Sequence, residues 1–348
     1  MKDAALEALY QTIDQQQAGL LLADEQCLEP LTADAELPQA GNVKVLTNRV
    51  DVARRFQAAG FEARLNDFEL EEVLPERVYY RVSKEKALVH YLINQVLARL
   101  PLGGRLVLSG YKGDGTKTYI EKACALVGAA KSIKKAPGGA VITVIEKRQQ
   151  PLSQLDDSDY ASLQIIDSEL NLFSKPGVYG WKKIDIGSAL LAEQLPAVIE
   201  SLAQRPQKLL DLGCGYGYLS VVAKQRLPDA RIVASDNNLT ALIPCRKNFE
   251  VHHIDGEINA DDCGNSLTES FDLVLCNPPF HKGFNVHGDM TLQFLQSAKA
   301  RLKPGAVALF VVNQFIGLEQ RAKPLFGSCT ALAERGGFKV FLLGAKPR

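Results

Sequence analysis

The sequence predicts an α/β protein made of two tandem doubly wound, Rossmann-like domains, the first of them degenerate. Three observations carry this expectation. Short apolar runs alternate with helical patterns through the C-terminal half, a glycine-rich turn joins the first of those runs to a helix, and a fainter alternation runs through the N-terminal half.

The C-terminal domain is expected over 171–348. "KLLDLG" (208–213), "ARIVASD" (230–236), "FDLVLC" (271–276) and "AVALFVV" (306–312) are short, β-branched-rich runs suited to strands buried on both faces. "YLSVVAKQRL" and "TLQFLQSAKARL" lie between them with helical character. The N-terminal domain is expected over 1–150. There "ERVYYRV" (76–82) and the long stretch after it echo "FDLVLCN" and its sequel, and "RLPLGG" (99–104) stands against "RLKPGA" (301–306), 202 residues apart. Each of these lies between an amphipathic helix and a strand, which suggests duplication of one α/β unit. The first copy has no glycine fingerprint and no Asn-Pro-Pro. Between the halves, 151–170 opens on a polar, proline-broken run and reads as a linker.

At 46% hydrophobic and 23% charged residues, the chain has the composition of an ordinary globular protein. The acidic, amphipathic start lacks the basic-then-apolar layout of a secretory signal, and no apolar run reaches the roughly 18 residues of a membrane span. A cytoplasmic monomer without membrane contact is expected. Seven cysteines are scattered with no C-x-x-C pair, which argues for reduced, packed thiols and against a zinc site. Net charge is zero but uneven: residues 1–76 carry 6 Lys/Arg against 15 Asp/Glu, and residues 77–150 carry 14 against 4. Lys112, Lys134 and Lys135 in the basic block are candidates for holding nucleic-acid phosphate. The alternative is a set of solvated faces balanced by the acidic segment.

"LLDLGCGYGYLS" sets Asp211, Gly213, Gly215 and Gly217 at a strand-to-helix turn, where glycines let the backbone come close to a ligand. Such a loop alone does not separate a dinucleotide from an adenosyl cofactor. Asp211 does, because a carboxylate there repels a pyrophosphate and suits a cationic amine. S-adenosyl-L-methionine carries an amine and a sulfonium and no phosphate. Asp236, ending the second run, is placed to grip both ribose hydroxyls, with helix capping as the alternative. Asp262, with Asp261 as second choice, is placed for the adenine amino group. A solvated loop acid is the other reading of either one.

"NPPFH" (277–281) follows a buried run. A ring-attached amino group is a poor nucleophile, since its lone pair is delocalised. The Asn277 amide oxygen and the Pro278 carbonyl can each accept one N–H and turn that lone pair toward a methyl donor. Pro278 and Pro279 fix the backbone and remove N–H groups, which frees carbonyls to face a site. Phe280 can stack on a base, or pack as a core anchor; His281 can relay a proton or touch phosphate, or be a plain loop residue. The catalytic set expected is Asn277, Pro278, Pro279 and Phe280.

"DLGCGYG" with "NPPFH" resembles the class I S-adenosylmethionine-dependent methyltransferases that act on exocyclic or amide nitrogens. "LFSKPGVYGWKKIDIGSALLAEQLP" (172–196) is similar, more closely, to the bacterial ribosomal RNA guanine-N2 methyltransferases. The resemblance implies that Phe173, Asp185 and Gly187 belong to an element covering the cofactor, with Ser174 and Ser188 in matching places. It also implies a degenerate methyltransferase-like N-terminal domain that supports RNA binding, and ribosomal RNA as partner. The stretch between Ser174 and Asp185 is longer than the family pattern, and Leu172 replaces a valine. "VYYRVSKEKA" and the overall length favour the small-subunit (16S) branch, while "QRAKPLFGSCTALA" resembles the large-subunit (23S) one. A protein-glutamine or DNA-adenine methyltransferase would use the same Asn-Pro-Pro chemistry, and a non-catalytic RNA-binding assembly factor is a third reading.

Overall fold

The computed structural model describes residues 3–28, 37–279 and 284–346, with side chains from Met290 onward in the last stretch. Contacts divide the chain into two units, Met1–Ser162 and Leu163–Arg348.

In the first unit the strands are β1 (Gly19–Ala23), β2 (Val43–Thr47), β3 (Ala63–Leu65), β4 (Arg77–Arg81), β5 (Arg105–Tyr111), β6 (Lys134–Lys135) and β7 (Ala140–Glu146). The helices are α1 (Ala4–Tyr10), α2 (Val50–Ala58), α3 (Lys86–Arg99) and α4 (Thr116–Leu126). The sheet order is β3-β2-β1-β4-β5-β7-β6, parallel except where β7 meets β5 and β6. Val78 and Tyr80 on one face pack with α3 and α4, while Tyr79 on the other packs with α1 and α2. Burial on both faces is why Val78, Tyr79 and Tyr80 follow one another in β4 with no polar residue between them.

The second unit opens with an antiparallel pair, β8 (Gln164–Asp167) and β9 (Leu172–Ser174). Its main sheet comprises β10 (Lys208–Leu212), β11 (Arg231–Asp236), β12 (Gly256–Ala260), β13 (Phe271–Cys276), β14 (Leu302–Asn313), β15 (Ser328–Arg335) and β16 (Phe338–Gly344). The order is β12-β11-β10-β13-β14-β16-β15. That is the order of the first sheet, strand for strand and with the same parallel and antiparallel pairs, so the faint repeat in the sequence is a full repeat of topology. The helices are α5 (Ile186–Ser201), α6 (Tyr218–Arg226), α7 (Leu239–Val251), α8 (Phe284–Arg301) and α9 (Leu318–Ala322). Leu209, Leu273, Leu275 and Leu309 face α5, α6 and α7, while Leu210, Val274 and Phe310 face α8 and α9. Five of the seven cysteines are buried in these cores, and no described helix is long and apolar enough to cross a membrane.

The stretch expected as a linker is shared between the units. Up to Ser162 it belongs to the first. Asn94 holds Leu155 by both its backbone N–H and its carbonyl at 2.8 Å, and buried Tyr160 stacks on Tyr91 and donates to Asp67 at 3.0 Å. Polar composition did not make this segment spare, because two polar atoms on one face of α3 replace the partners that its backbone would find in water.

Candidate active site

In each sheet the strand order reverses beside the first strand of its main run, and the crevice at the carboxyl ends there is where doubly wound folds place ligands. The two units fill that crevice differently. In the first, Arg81 ends β4 with its guanidinium 2% exposed, 3.0 Å from Asp3 and 2.7 Å from Asp114, and 5.2 Å from the centre of the Tyr111 ring. In the second, the strand register puts Asn277 at the place of Arg81 (Cys276 pairs with Phe310 as Tyr80 pairs with Leu108), and the crevice is built from the glycine loop and Asn277.

The glycine loop leaves β10 and enters α6. Gly213, Gly215 and Gly217 have φ of +77°, +55° and +83°, the left-handed region that favours glycine. A Cβ on Gly217 would stand 2.9 Å from Cys245 Sγ, and one on Gly213 would stand 3.2 Å from the Phe294 ring, whereas one on Gly215 would meet nothing within 4 Å. The middle glycine therefore faces open space, which fits a ligand lying against the loop. Asp236 stabilises that conformation: its carboxylate accepts the N–H of Gly215 and that of Asn238, each at 2.8 Å. The helix cap is a different residue, Asn238, which accepts from Thr240 N.

Asp211 is buried under the loop, with one carboxylate oxygen accepting both Ser220 N (3.0 Å) and Ser220 Oγ (2.6 Å). It thereby ties the third residue of α6 back to β10. Its other oxygen is buried without a hydrogen-bond partner among the described residues. Burial pushes the carboxyl up to about 7, against the two Ser220 bonds, and the Asp236 charge adds to the rise.

Asn277 follows β13, beyond the reach of the ladder. Its Nδ2 donates to Asp185 Oδ2 at 2.9 Å and to Ser188 Oγ at 2.7 Å. A carboxylate only accepts, so the amide is fixed with nitrogen toward Asp185 and oxygen away. That oxygen is buried and has no partner among the described residues. Asp185 is also the N-cap of α5, accepting Ser188 N at 2.9 Å. Gly187 allows the crowding: a Cβ there would stand 2.9 Å from the Phe338 ring and 3.0 Å from Asp185 Oδ2. Tyr216 of the glycine loop connects the two clusters, its hydroxyl pKa raised by burial and by the nearby Asp185 charge.

Phe173 on β9 exchanges both backbone hydrogen bonds with the side chain of fully buried Asn248, which also donates to Tyr216 O at 2.7 Å. Asn248 thus fastens the covering strand to the glycine loop. The sequence reading missed it, and missed Ser220. Asp261 is buried, its N–H bonded to Asp236 O and its carboxylate accepting Ser266 N at 2.8 Å. Asp262 is half-buried and lines a polar cleft with Asn265, Gln293 and Arg301. Pro278 is buried and Pro279 exposed, while Phe280 and His281 lie outside the described residues. Lys112, Lys134 and Lys135 are exposed in the first unit, the last two forming its edge strand, where lysines also block unwanted pairing.

The methyltransferase small domain family model matches residues 169–342. The ribosomal RNA small subunit methyltransferase C of Pseudomonas aeruginosa (strain UCBPP-PA14) is 32% identical over 264 residues, covering 75% of this chain and 76% of that protein. The chain belongs to the ribosomal RNA small subunit methyltransferase C family. Its Haemophilus influenzae (strain PittGG) member is 26% identical over 303 residues, covering 87% of this chain and 88% of its own. Among solved structures, the T. thermophilus 16S rRNA N2 guanine methyltransferase in complex with AdoMet and guanosine superposes with a TM-score of 0.82 at 26% identity, over 99% of this chain and 92% of that one. Membership in the methyltransferase C family decides between the two ribosomal branches in favour of the small subunit. The "QRAKPLFGSCTALA" stretch, which resembles the other branch, covers the end of α9 and most of β15, at the periphery of the sheet.

Proposed function

We propose that the protein transfers a methyl group from S-adenosyl-L-methionine to the exocyclic N2 amine of a guanine in 16S ribosomal RNA. The observation that carries the reading is the Asn277 amide, fixed by Asp185 and Ser188 with its oxygen left over. An amino group is the partner such an oxygen lacks. The related T. thermophilus enzyme is one that methylates N2 of a guanine in 16S rRNA.

The open face at Gly215 and the orphaned oxygen of Asp211 fit an adenosyl cofactor with a cationic amine. Gly213, Gly215 and Gly217 would lie against it. Asp236 would hold its ribose, Asp262 or Asp261 its adenine, and Asp211 its amine, with Phe173, Asp185 and Gly187 on the covering side. When bound, the cofactor supplies an electrophilic methyl on a sulfonium. Asn277 Oδ1 and the Pro278 carbonyl take the two N–H bonds of the guanine amine, localise its lone pair and hold it in line, which is catalysis by positioning and preorganised dipoles. Pro279 keeps the turn free of competing N–H donors, and Phe280 is assigned the floor under the base. His281 is assigned to the released proton or a phosphate.

We also propose that the first unit, with Lys112, Lys134 and Lys135, supports RNA binding, and that the protein acts as a cytoplasmic monomer. The test offers methyl-labelled cofactor to undermethylated small subunits, large subunits and free RNA, then maps the labelled base. Label on N2 of one 16S guanine is expected; label confined to 23S RNA or to protein, or none at all, overturns the reading.

A further inference from the structure

We infer that the loop 179–183 and Phe315 form a grip for single-stranded RNA at the mouth of the site, stacking the nucleotides next to the target guanine. This rests on the function proposed above. Among the described residues of the second unit the large apolar side chains left exposed are Ile165, Tyr179, Ile186 and Phe315; Tyr179 and Ile186 lie on segments beside Asp185, and Phe315 follows β14 at the carboxyl end of the sheet. Ile186 is the first residue of α5, next to Asp185. Tyr179, 72% exposed, precedes Gly180, where a Cβ would stand 3.9 Å from Asp185 Cβ. Phe315, 77% exposed, lies on the turn after β14, at the same strand edge as Asn277. That turn is tied to the neighbouring hairpin by Gln314 N donating to Gly337 O at 2.8 Å, and a Cβ on the adjacent Gly336 would stand 3.1 Å from Ile186 Cγ2. The segments that carry the three side chains are thus linked into one rim.

Cations interleave with these rings. Lys182 and Lys183 are exposed and form no ion pair with a described carboxylate, and Lys182 Nζ lies 5.1 Å over the Trp181 ring. Trp181 itself is half-buried against the core. Water-facing aromatics beside unpaired lysines suit a strand whose bases are unstacked and whose backbone is anionic. An apolar protein surface would use the rings and leave the lysines unanswered. RNA uses both. The grip holds flanking nucleotides, so its residues position substrate and do not touch the reacting nitrogen.

Trp181 is the chain's single tryptophan, so its emission reports on this loop alone. A single-stranded RNA of about ten nucleotides carrying the target guanine and its neighbours is titrated into the full chain. Saturable quenching of Trp181 is expected. Phe315→Ala and Tyr179→Ala each raise the KM for RNA roughly tenfold, the effect of losing one base–aromatic stack, while kcat and cofactor affinity hold. Lys182→Glu with Lys183→Glu flattens the salt dependence of binding. RNA that is methylated with flat Trp181 emission and unchanged KM in these variants overturns the grip and leaves the methyltransferase reading intact. Emission that instead follows protein concentration assigns the rim to self-association and equally overturns it. The titration needs no turnover, so a preparation that methylates nothing still reads the grip.

Discussion

The Asn277 amide donates to the Asp185 carboxylate at 2.9 Å across 92 positions of sequence, and together with its bond to Ser188 this joins the end of β13 to the start of α5. It makes Asp185 serve two ends at once, as cap of a helix and as orienter of an amide. Asn277→Ala is therefore expected to abolish turnover with cofactor affinity near that of the unsubstituted protein. Asp185→Ala has two separable effects. Loss of the N-cap costs about 1 kcal/mol of stability. Release of the amide lowers kcat well beyond that, because the oxygen is then no longer held toward the base. Melting curves and single-turnover rates on both variants check the pair, and a kcat for Asp185→Ala that follows stability alone rules out the orienting role.

Gly215 and Gly217 give a second contrast, since they share a backbone region but not a neighbourhood. Alanine at either pays roughly 1–2 kcal/mol for a left-handed φ. At Gly217 the new methyl also meets Cys245 Sγ at 2.9 Å, inside the core, so Gly217→Ala is expected to lose more stability. At Gly215 it points into open space, so Gly215→Ala is expected to lose no stability beyond that backbone cost, and much cofactor affinity. Calorimetric cofactor titration beside urea unfolding separates the two. The reverse ranking would place the ligand elsewhere.

How much of this was legible beforehand follows from where each signal lies. The strands around the crevice are buried on both faces and read as unbroken apolar runs, so β13 matches "FDLVLC" residue for residue. The glycine loop and Asn277 are local motifs with local chemistry. Asn248 was hidden because an asparagine in a helical stretch looks like a solvated face, and its three partners lie on two other segments. Asp185 and Gly187 became visible only through family resemblance, since nothing local marks a helix cap as an orienter. The degenerate copy was recognisable by its missing glycines, but not what replaced them.

Across the same crevice the place of Asn277 is taken by the Arg81 cluster, in which one guanidinium answers two carboxylates inside the first unit. Arg81→Ala leaves buried Asp3 and half-buried Asp114 without their cation, which is expected to destabilise that unit by about 3–5 kcal/mol. Asp3→Asn retains an oxygen to cap α1, where Asp3 accepts Leu6 N, and is expected to cost less. Urea unfolding followed by circular dichroism measures both. A loss for Arg81→Ala within the roughly 0–1 kcal/mol of a surface pair would mean that water reaches the cluster.

Asp211 gives the pH dependence. Its carboxyl titrates near 7 in the folded chain against 3.8 ordinarily, so between those values the folded state holds a proton that the unfolded chain has released. The stability it contributes is fully present below about 4 and is lost as pH rises through about 7. Asp211→Asn removes the titration while keeping an oxygen for Ser220, so the variant gains on the parent as pH is raised from 5 to about 8. The functional counterpart has the opposite sense. A cationic amine beside the orphaned oxygen favours the carboxylate, so cofactor binding at neutral pH is expected to expel about half a proton from a group titrating near 7. Calorimetry in buffers of different ionisation enthalpy reads that proton directly. Release in the parent and none in Asp211→Asn places the amine at Asp211; equal release in both assigns the proton to another group and removes Asp211 from the cofactor site.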